Sequence, residues 1–180
     1  MLDELADRFD DAVETQFKRL RGNKAADRTF YTASALGDFG LIWVVFALLR
    51  ALRGGRLNER AAVRAIIATG VESVLVNVAL KSLIQRHRPA DQPDHPHRIR
   101  QPLSSSFPSG HATAAFCGAT LLADGDPAAA PVYFAAAATI AASRVHTGMH
   151  HATDVAGGVL VGLVLGQIGK RLFPLQPRRR

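Results

Sequence analysis

The chain has 180 residues, 48% of them hydrophobic, and its 22 Lys plus Arg against 15 Asp plus Glu give a formal net charge of +7. This length predicts one domain, and the apolar content excludes a chain that stays disordered for lack of hydrophobic residues. The single cysteine, Cys117, excludes an intrachain disulfide and a cysteine zinc cluster. The basic excess indicates an anionic partner, but scattered cations and 7% aromatic residues argue against nucleic acid.

The first predicted element is an amphipathic helix over residues 1–22. Its apolar side chains recur every three or four residues, with charges between them, at Leu2, Leu5, Phe9, Val13, Phe17 and Leu20. Such a helix lies either in the membrane interface or against the other helices. Seven charged residues precede Thr15, so we expect no cleavable signal peptide. Residues 23–28 are predicted to be a polar connector.

Five apolar runs follow in chain order, although the mean hydropathy of the whole chain is only +0.07. They cover 29–49, 65–80, 107–123, 127–142 and 152–169. Their only formally charged residues are Asp38, Glu72 and Asp154. Each run approaches the roughly 20 residues needed to cross a bilayer, and the two shortest need neighbouring residues to complete the span.

A soluble helical bundle is the alternative to a membrane bundle. Its helices would each carry a polar stripe, which residues 41–49 and 159–165 lack. Ala, Gly and Ser dominate several runs, and small residues let membrane helices pack closely. We therefore predict an all-α polytopic membrane bundle of about five transmembrane helices plus the N-terminal amphipathic interfacial helix. It forms one domain over 1–180, with a transmembrane core over 29–169 and a basic tail over 170–180.

Two polar stretches separate the early runs. Residues 50–60 form a short basic loop with a Gly-Gly break. Residues 86–106 are rich in Pro and His, and a loop of that length in a compact chain is usually functional.

Three polar clusters stand at the ends of the runs. In the first, Lys81 and Arg88 are seven residues apart, so two helical turns would place both cations on one face. The alternative to a functional role is that both cations snorkel to a membrane boundary. In the second, Pro108-Ser109-Gly110-His111 opens the third run, where a helix start exposes N–H groups to an anion. An ordinary capped helix start would look the same.

The third cluster contains Ser143-Arg144, His150 and Asp154. Asp154 is four residues after His150, so its carboxylate can hold one imidazole nitrogen and leave the other free to attack. The alternative is an ion pair or a buried aspartate, but an acidic residue in a membrane helix is expensive and usually functional.

Topology brings these clusters together. If the five runs alternate across the membrane, Lys81, Arg88, His111, Arg144 and Asp154 all fall on one side. Cations that hold oxygens, one histidine as nucleophile and another as general acid are the groups that phosphate chemistry needs.

The three clusters resemble the signatures of the type 2 phosphatidic acid phosphatase superfamily, which also includes vanadium haloperoxidases. Those signatures are Lys-x6-Arg-Pro, Pro-Ser-Gly-His and Ser-Arg-x5-His-x3-Asp, and they occur here in order and intact. The resemblance spans residues 81–154, and the flanking helices fit the family by hydropathy alone.

This resemblance implies roles for the catalytic residues. His150 attacks phosphorus and forms a phosphohistidine, Asp154 orients it, and His111 protonates the leaving oxygen and then activates water. The phosphoryl oxygens would be held by Lys81, Arg88, Arg144, Ser109 and the Gly110 N–H. The chemistry needs no metal or other cofactor.

The expected function is that of an integral membrane phosphatase acting on a lipid phosphate or pyrophosphate. The chain is similar to small bacterial members of the family that act on polyprenyl carriers. The favoured substrate is therefore a polyprenyl (pyro)phosphate or a polyprenyl-phosphoryl sugar phosphate of envelope synthesis. Phosphatidylglycerol phosphate and phosphatidic acid are alternatives. A vanadate-dependent haloperoxidase or a silent membrane scaffold fits less well, because haloperoxidases are large and soluble and a scaffold needs no intact His111, His150 and Asp154.

Two further expectations concern the remaining histidines and the orientation. The histidines outside the signatures form either a second metal site or solvated and interfacial positions; they are His87, His95, His97, His146 and His151.

Cations are nearly balanced between the two sides of the membrane, but those at 50–64 and in the tail lie close to the ends of the spans. We therefore expect a multi-pass cell-membrane protein whose active site faces away from the cytoplasm.

Overall fold

The computed structural model describes residues 1–89 and 104–175, and no strand occurs within these ranges. The α-helices are α1 (Leu2–Leu20), α2 (Lys24–Gly37), α3 (Leu41–Leu52), α4 (Arg56–Val74), α5 (Lys81–Leu83), α6 (Gly110–Ala123), α7 (Ala130–His146) and α8 (Ala152–Leu172). A 3-10 turn, Asp38–Gly40, joins α2 to α3, and a π-helical stretch, Leu75–Leu80, joins α4 to α5. The all-α prediction is confirmed.

The first apolar run begins earlier than its hydropathy indicates. Asn23 caps α2 by accepting hydrogen bonds from the backbone N–H groups of Ala25 and Ala26, so 23–28 is a helix start and the connector prediction is wrong. A short polar residue at this position satisfies N–H groups that have no partner inside the helix. The run is also interrupted, because Phe39 and Gly40 have positive φ angles of 55° and 68°.

Three helical stretches are long and apolar enough to cross a membrane. They are Lys24–Leu52 with 29 residues, Arg56–Leu83 with 28 and Ala152–Leu172 with 21. Helices α6 and α7 have 14 and 17 residues. Large apolar side chains point outward on these stretches, among them Leu48, Val63, Ile67, Val71, Leu160 and Val164.

Helix α6 is the centre of the bundle and packs against α4, α7 and α8. Its contact with α8 is close because a glycine stripe on α8 faces it. A Cβ atom added at Gly158 would lie 2.6 Å from the Ser109 carbonyl oxygen, and one at Gly162 would lie 2.4 Å from that of Thr113. The N-terminus of α6 is thereby held against the first turns of α8.

Arginine side chains close the opposite end of α6. Arg50 donates to the carbonyl oxygens of Leu122 and Asp124, and Arg64 donates to that of Leu121. Both arginines are buried, with 1% and 6% of their surface exposed. They satisfy the last carbonyl groups of the helix, which have no partner within it.

Parts of the predicted polar segments lie outside the described residues. These parts are His95 and His97 of the proline- and histidine-rich loop and Arg178, Arg179 and Arg180 of the basic tail. The predicted Gly-Gly break is present, since Gly54 and Gly55 separate α3 from α4 with φ angles of 74° and 88°. The predicted loop over 50–60 is wrong in its bounds, because residues 50–52 belong to α3 and residues 56–60 to α4.

Candidate active site

The predicted site residues come from four helix ends, one extended segment and the loop between α7 and α8, and these meet at one end of the bundle. Lys81 lies at the end of the second long stretch, His111 in the first turn of α6, Arg144 in the last turn of α7 and Asp154 in the first turn of α8. Alternating helices bring these ends together, as the motif order predicts. All eight predicted residues lie in this region.

His150 has a defined tautomer. Its Nδ1 lies 2.8 Å from the backbone carbonyl oxygen of Ser106, which can only accept a hydrogen bond, so Nδ1 carries the proton. Its Nε2 is therefore unprotonated, and it lies 3.2 Å from Nη1 of Arg88. The nucleophilic lone pair thus faces a cation, where an anionic phosphate would sit.

The pKa of His150 is lowered from its ordinary value of 6.5 to about 3, chiefly because the side chain is buried. The cations Arg144 and Arg88 lower it further, against the opposing effect of Asp154. Burial also lowers the pKa of Arg88. The imidazole is therefore neutral at physiological pH, the form that can attack phosphorus.

Asp154 contacts the His150 ring less directly than its spacing predicts. Its Oδ2 lies 3.8 Å from Nδ1 of His150, which exceeds hydrogen-bond distance. That oxygen accepts hydrogen bonds from Ser106 Oγ at 2.5 Å and from the His151 N–H at 2.8 Å. The prediction of a direct hydrogen bond to Asp154 is thus wrong, because a serine backbone carbonyl takes the Nδ1 proton. Asp154 is thus connected to His150 through Ser106, and its charge lies 3.8 Å from the ring.

His111 pairs with an acidic residue to which the motif assigns no role. Its Nε2 lies 2.8 Å from Oδ1 of Asp38, in the turn after α2. The imidazole also packs against Gly37, where an added Cβ would be 2.9 Å from His111 Cδ2. The break between α2 and α3 therefore serves the site, because it places a carboxylate beside the predicted general acid.

The three motif cations reach the site from different elements. Arg144 is 4% exposed and donates to Ser34 Oγ at 2.5 Å, and its carbonyl accepts the N–H groups of Met149 and His150. Lys81 approaches Gly110, where an added Cβ would lie 3.7 Å from its Nζ. The cations thus line the same cavity as His150 and the start of α6.

Lys81 and Arg88 do not share a helix face, so that expectation is wrong. Helix α5 ends at Leu83, and Ile84 has the extended angles φ −121° and ψ 106°. The extended segment pairs with residues 104–107, since Ser106 N–H donates to the Arg86 carbonyl at 2.9 Å. Pro89 also disfavours a helical conformation at Arg88.

The Pro-Ser-Gly-His motif forms the start of α6. Ser109 is the N-cap residue, and its own N–H donates to the Asp154 carbonyl at 3.0 Å. A Cβ added at Gly110 would lie only 3.1 Å from Asn77 Oδ1, so glycine favours the close approach of Asn77 here. The positive end of the α6 dipole thus lies beside the cations, which favours an anion there.

A cavity of about 710 Å³ connects this site to apolar surface between the first two long stretches. Its polar end contains Lys81, Arg88, His111, Arg144 and His150, and its walls include Val44, Ile66, Gly70 and Val74. A larger apolar groove of about 840 Å³ between α4 and α8 contains none of the predicted site residues.

Sequence reasoning missed several residues that contact the site. Arg86 binds Asp154, Ser106 links Asp154 to His150, and Asp38 binds His111. Asp38 had a visible signal as one of three charges in the apolar runs, and Ser106 ends a triple-serine stretch. Arg86 had no such signal, because it is one of several basic residues in the 86–106 loop.

The extra histidines that the structure describes do not cluster. His146 is buried and lies 2.8 Å from Asp27 Oδ1, whereas His151 caps α8 and His87 is exposed. Over residues 1–89 and 104–175, no group of three His, Cys, Asp or Glu side chains is placed to hold a metal ion.

An apolar helical bundle with this cluster of histidines, carboxylate and cations at one end has the arrangement of an integral membrane phosphatase. A family model described as the PAP2 superfamily matches residues 61–178. The chain belongs to this superfamily, so the resemblance drawn from the three motifs is confirmed. The protein is therefore a metal-independent lipid phosphate hydrolase.

Two curated relatives are decaprenylphosphoryl-5-phosphoribose phosphatases. The protein of Mycobacterium tuberculosis is 33% identical over 140 residues, which cover 76% of each chain. That of Mycolicibacterium smegmatis is 34% identical over 128 residues, covering 69% of this chain and 67% of the relative.

Two solved structures share the fold. A transmembrane PAP2-type phosphatidylglycerolphosphate phosphatase from Bacillus subtilis superposes with a TM-score of 0.73 at 25% identity, covering 97% of this chain and 89% of that one. LpxE from Aquifex aeolicus gives 0.67 at 27% identity, covering 87% and 93%. The chain is therefore a membrane protein.

Proposed function

We propose that this enzyme hydrolyses the phosphate ester of a polyprenyl-phosphoryl sugar phosphate through a phosphohistidine on His150. The unprotonated Nε2 of His150, which accepts a hydrogen bond from Arg88 at 3.2 Å, is the observation that carries the proposal. The substrate class follows the activity for which the two mycobacterial relatives are named.

In the first step, His150 Nε2 attacks phosphorus and the bond from phosphorus to the sugar oxygen breaks. His111, paired with Asp38, gives a proton to the departing oxygen. Positive charge develops on the His150 ring as the bond forms, and the Asp154 carboxylate 3.8 Å from Nδ1 stabilises it. Lys81, Arg88, Arg144, Ser109 and the Gly110 N–H hold the phosphoryl oxygens.

In the second step, water attacks the phosphohistidine. His111, now lacking its proton, takes one from that water while the bond between phosphorus and Nε2 breaks. Inorganic phosphate leaves, and both histidines return to their starting forms.

The lipid chain of the substrate occupies the apolar part of the 710 Å³ cavity. That part is continuous with the cations, so one molecule places its phosphate at His150 and its chain along Val44, Ile66 and Val74. A substrate lipid can therefore enter the cavity laterally, directly from the bilayer.

The test is phosphate release by detergent-purified enzyme from a panel of lipids. The panel contains decaprenylphosphoryl-5-phosphoribose, undecaprenyl pyrophosphate, phosphatidylglycerol phosphate and phosphatidic acid. We expect the first to have the highest kcat/KM, and His150→Ala to abolish its turnover because no covalent intermediate can form.

Three outcomes would contradict the proposal. Near-wild-type turnover by His150→Ala would exclude the mechanism. Preference for phosphatidylglycerol phosphate would instead assign the activity named for the Bacillus subtilis structure. Bromination with peroxide and vanadate would indicate a haloperoxidase.

The membrane arrangement is also part of the proposal. We infer one domain over 1–180 with five spans, formed by α2–α3, α4–α5, α6, α7 and α8, and with α1 in the interface. The protein is multi-pass in the cell membrane, and its active site faces away from the cytoplasm. Exposed cations near span ends on the other side support this orientation, among them Arg53, Arg56, Arg60 and Arg171.

A further inference from the structure

Arg86 lies outside the three motifs, yet its guanidinium contacts the catalytic aspartate. Its Nη1 lies 2.6 Å from Asp154 Oδ1 and 2.6 Å from Thr153 Oγ1. Its Nη2 lies 2.8 Å from Oδ2 of Asp10, on the N-terminal helix α1. Although burial disfavours its charge, the hydrogen bonds to Asp10 and Asp154 raise the pKa of Arg86. Arg86 therefore stays charged and links α1 to the site.

Asp10 also holds the beginning of α8. Its Oδ1 accepts the Thr153 N–H at 2.7 Å, and its Oδ2 accepts the Thr153 hydroxyl at 2.7 Å. Asp10 is 7% exposed, although its helix is largely exposed and amphipathic. A carboxylate at this position satisfies an N–H that has no partner within α8.

A second contact lies one loop away, at the end of α7. Arg21, just after α1, donates from Nε to the His146 carbonyl at 2.9 Å and from Nη2 to the Val145 carbonyl at 2.9 Å. It also forms a 2.6 Å ion pair with Glu14. Arg21 and Asp10 thus contact the two ends of the loop that carries His150.

We propose that Arg86 and Asp10 are positioning residues, and that α1 is a brace that fixes the His150 loop and Asp154 in their reactive geometry. The inference rests on the proposed function for its kinetic consequence. Neither Arg86 nor Asp10 lines the cavity around His150, so neither contacts the phosphate. They act through Asp154 and Thr153, and their loss should impair the chemical step while binding is retained.

The kinetic test compares Arg86→Met and Asp10→Ala with wild type on the best lipid phosphate. We expect kcat to fall about tenfold to hundredfold with KM nearly unchanged, since a displaced catalytic group slows chemistry steeply. The double variant should lose little more than either single variant, because both residues belong to one network. Arg8→Met and Asp7→Asn, on the exposed side of α1, are matched controls with unchanged activity.

Chemical rescue separates positioning from a general loss of structure. The Arg86 side chain is 29% exposed, so a truncated Arg86→Ala site is open to small solutes. Guanidinium at a non-denaturing millimolar concentration should restore part of the kcat of Arg86→Ala, and should not stimulate Asp10→Ala. A merely structural defect would not respond to it.

Amide hydrogen exchange provides a measurement that does not depend on turnover. Exchange over 147–153 should quicken in Asp10→Ala and Arg86→Met and stay at the wild-type rate in Arg8→Met. Should wild type release no phosphate from any lipid, the proposed function fails, while exchange still decides whether α1 holds the loop. Wild-type kcat in Arg86→Met, or unchanged exchange in Asp10→Ala, would overturn the inference.

Discussion

His150 couples the chemistry of the site to the stability of the protein. Its side chain is 3% exposed, and burial among cations lowers its pKa from 6.5 to about 3. The unfolded chain, in which the pKa is ordinary, therefore binds more protons than the folded chain between these two pH values. The stability that depends on the neutral ring is fully present above about pH 6.5 and decreases as the pH falls toward 3.

We therefore predict that acid destabilises the wild type more than His150→Gln, which cannot be protonated. The measurement is the Tm in detergent at about pH 7.5 and about pH 4.5, where linkage at His150 operates. The wild type should show the larger decrease. Equal decreases in both proteins would mean that His150 is not the group responsible.

Among elements, α8 depends on glycine for its approach to α6. A Cβ at Gly162 would lie 2.4 Å from the Thr113 carbonyl oxygen and 3.1 Å from the Cys117 nitrogen, both of them backbone atoms that cannot move aside locally. In lipid, such close packing of backbones replaces the hydrophobic effect as the force between helices.

Gly162→Ala should therefore lower stability by about 1–3 kcal/mol, as overpacked sites do. It should also lower activity, because α8 carries Asp154 and α6 carries His111. Thermal unfolding in detergent and phosphate release give the two readouts. For the stability readout, Gly70→Ala is the matched control, since a Cβ there meets no atom within 4 Å. A fully stable Gly162→Ala would disprove the close approach.

Helix α4 contributes Gly70 to the wall of the cavity that is proposed to hold the lipid chain. A Cβ at Gly70 meets no atom within 4 Å and Gly70 lines the cavity, so a tryptophan introduced there should project into the cavity. Gly70→Trp should raise KM for a long-chain lipid phosphate about tenfold or more, since it removes apolar volume from the site.

The control for this prediction is a short-chain, water-soluble phosphate, whose hydrolysis Gly70→Trp should leave unchanged. Steady-state kinetics on both substrates distinguish a blocked lipid-binding cavity from a damaged catalytic site. An equal loss on both substrates would place the lipid chain elsewhere.

At the scale of the whole molecule, the bundle has two chemically different ends. One holds the histidines and motif cations, and the other holds an arginine network in which Arg50 and Arg64 cap α6 and Arg53 pairs with Asp126. Buried Arg50 and Arg64 serve the fold and carry no information about orientation. The exposed cations nearest the span ends are those that the positive-inside bias acts on.

We predict that the site end is extracytoplasmic. In a Cys117→Ser background, Gln85→Cys reports on the site end and Ala128→Cys on the other, because both positions are exposed. A membrane-impermeant maleimide applied to intact cells should label the Gln85 variant and spare the Ala128 variant. The reverse pattern would place the site in the cytoplasm, and labelling after cell lysis confirms that both thiols react.

Short-range patterns in the sequence predicted the all-α class and the apolar stretches, and they picked out eight residues that the structure brings together at one end of the bundle. The reason is physical, because crossing a bilayer demands long apolar helices, and phosphoryl transfer demands specific side chains at fixed spacing. The break at Phe39 and Gly40 and the early start of α2 were not predictable from hydropathy, which does not register caps or backbone angles.

The tertiary structure alone decided how the catalytic groups are held. Asp38 beside His111, Ser106 between His150 and Asp154, and the link from Asp10 through Arg86 all join residues far apart in the chain. Neither composition nor periodicity indicates such pairs, because a hydrogen bond depends on where packed helices place two side chains. The sequence alone determined which chemistry the protein performs, and the packing of α1, α2 and the extended segment before Pro89 determined the geometry in which it occurs.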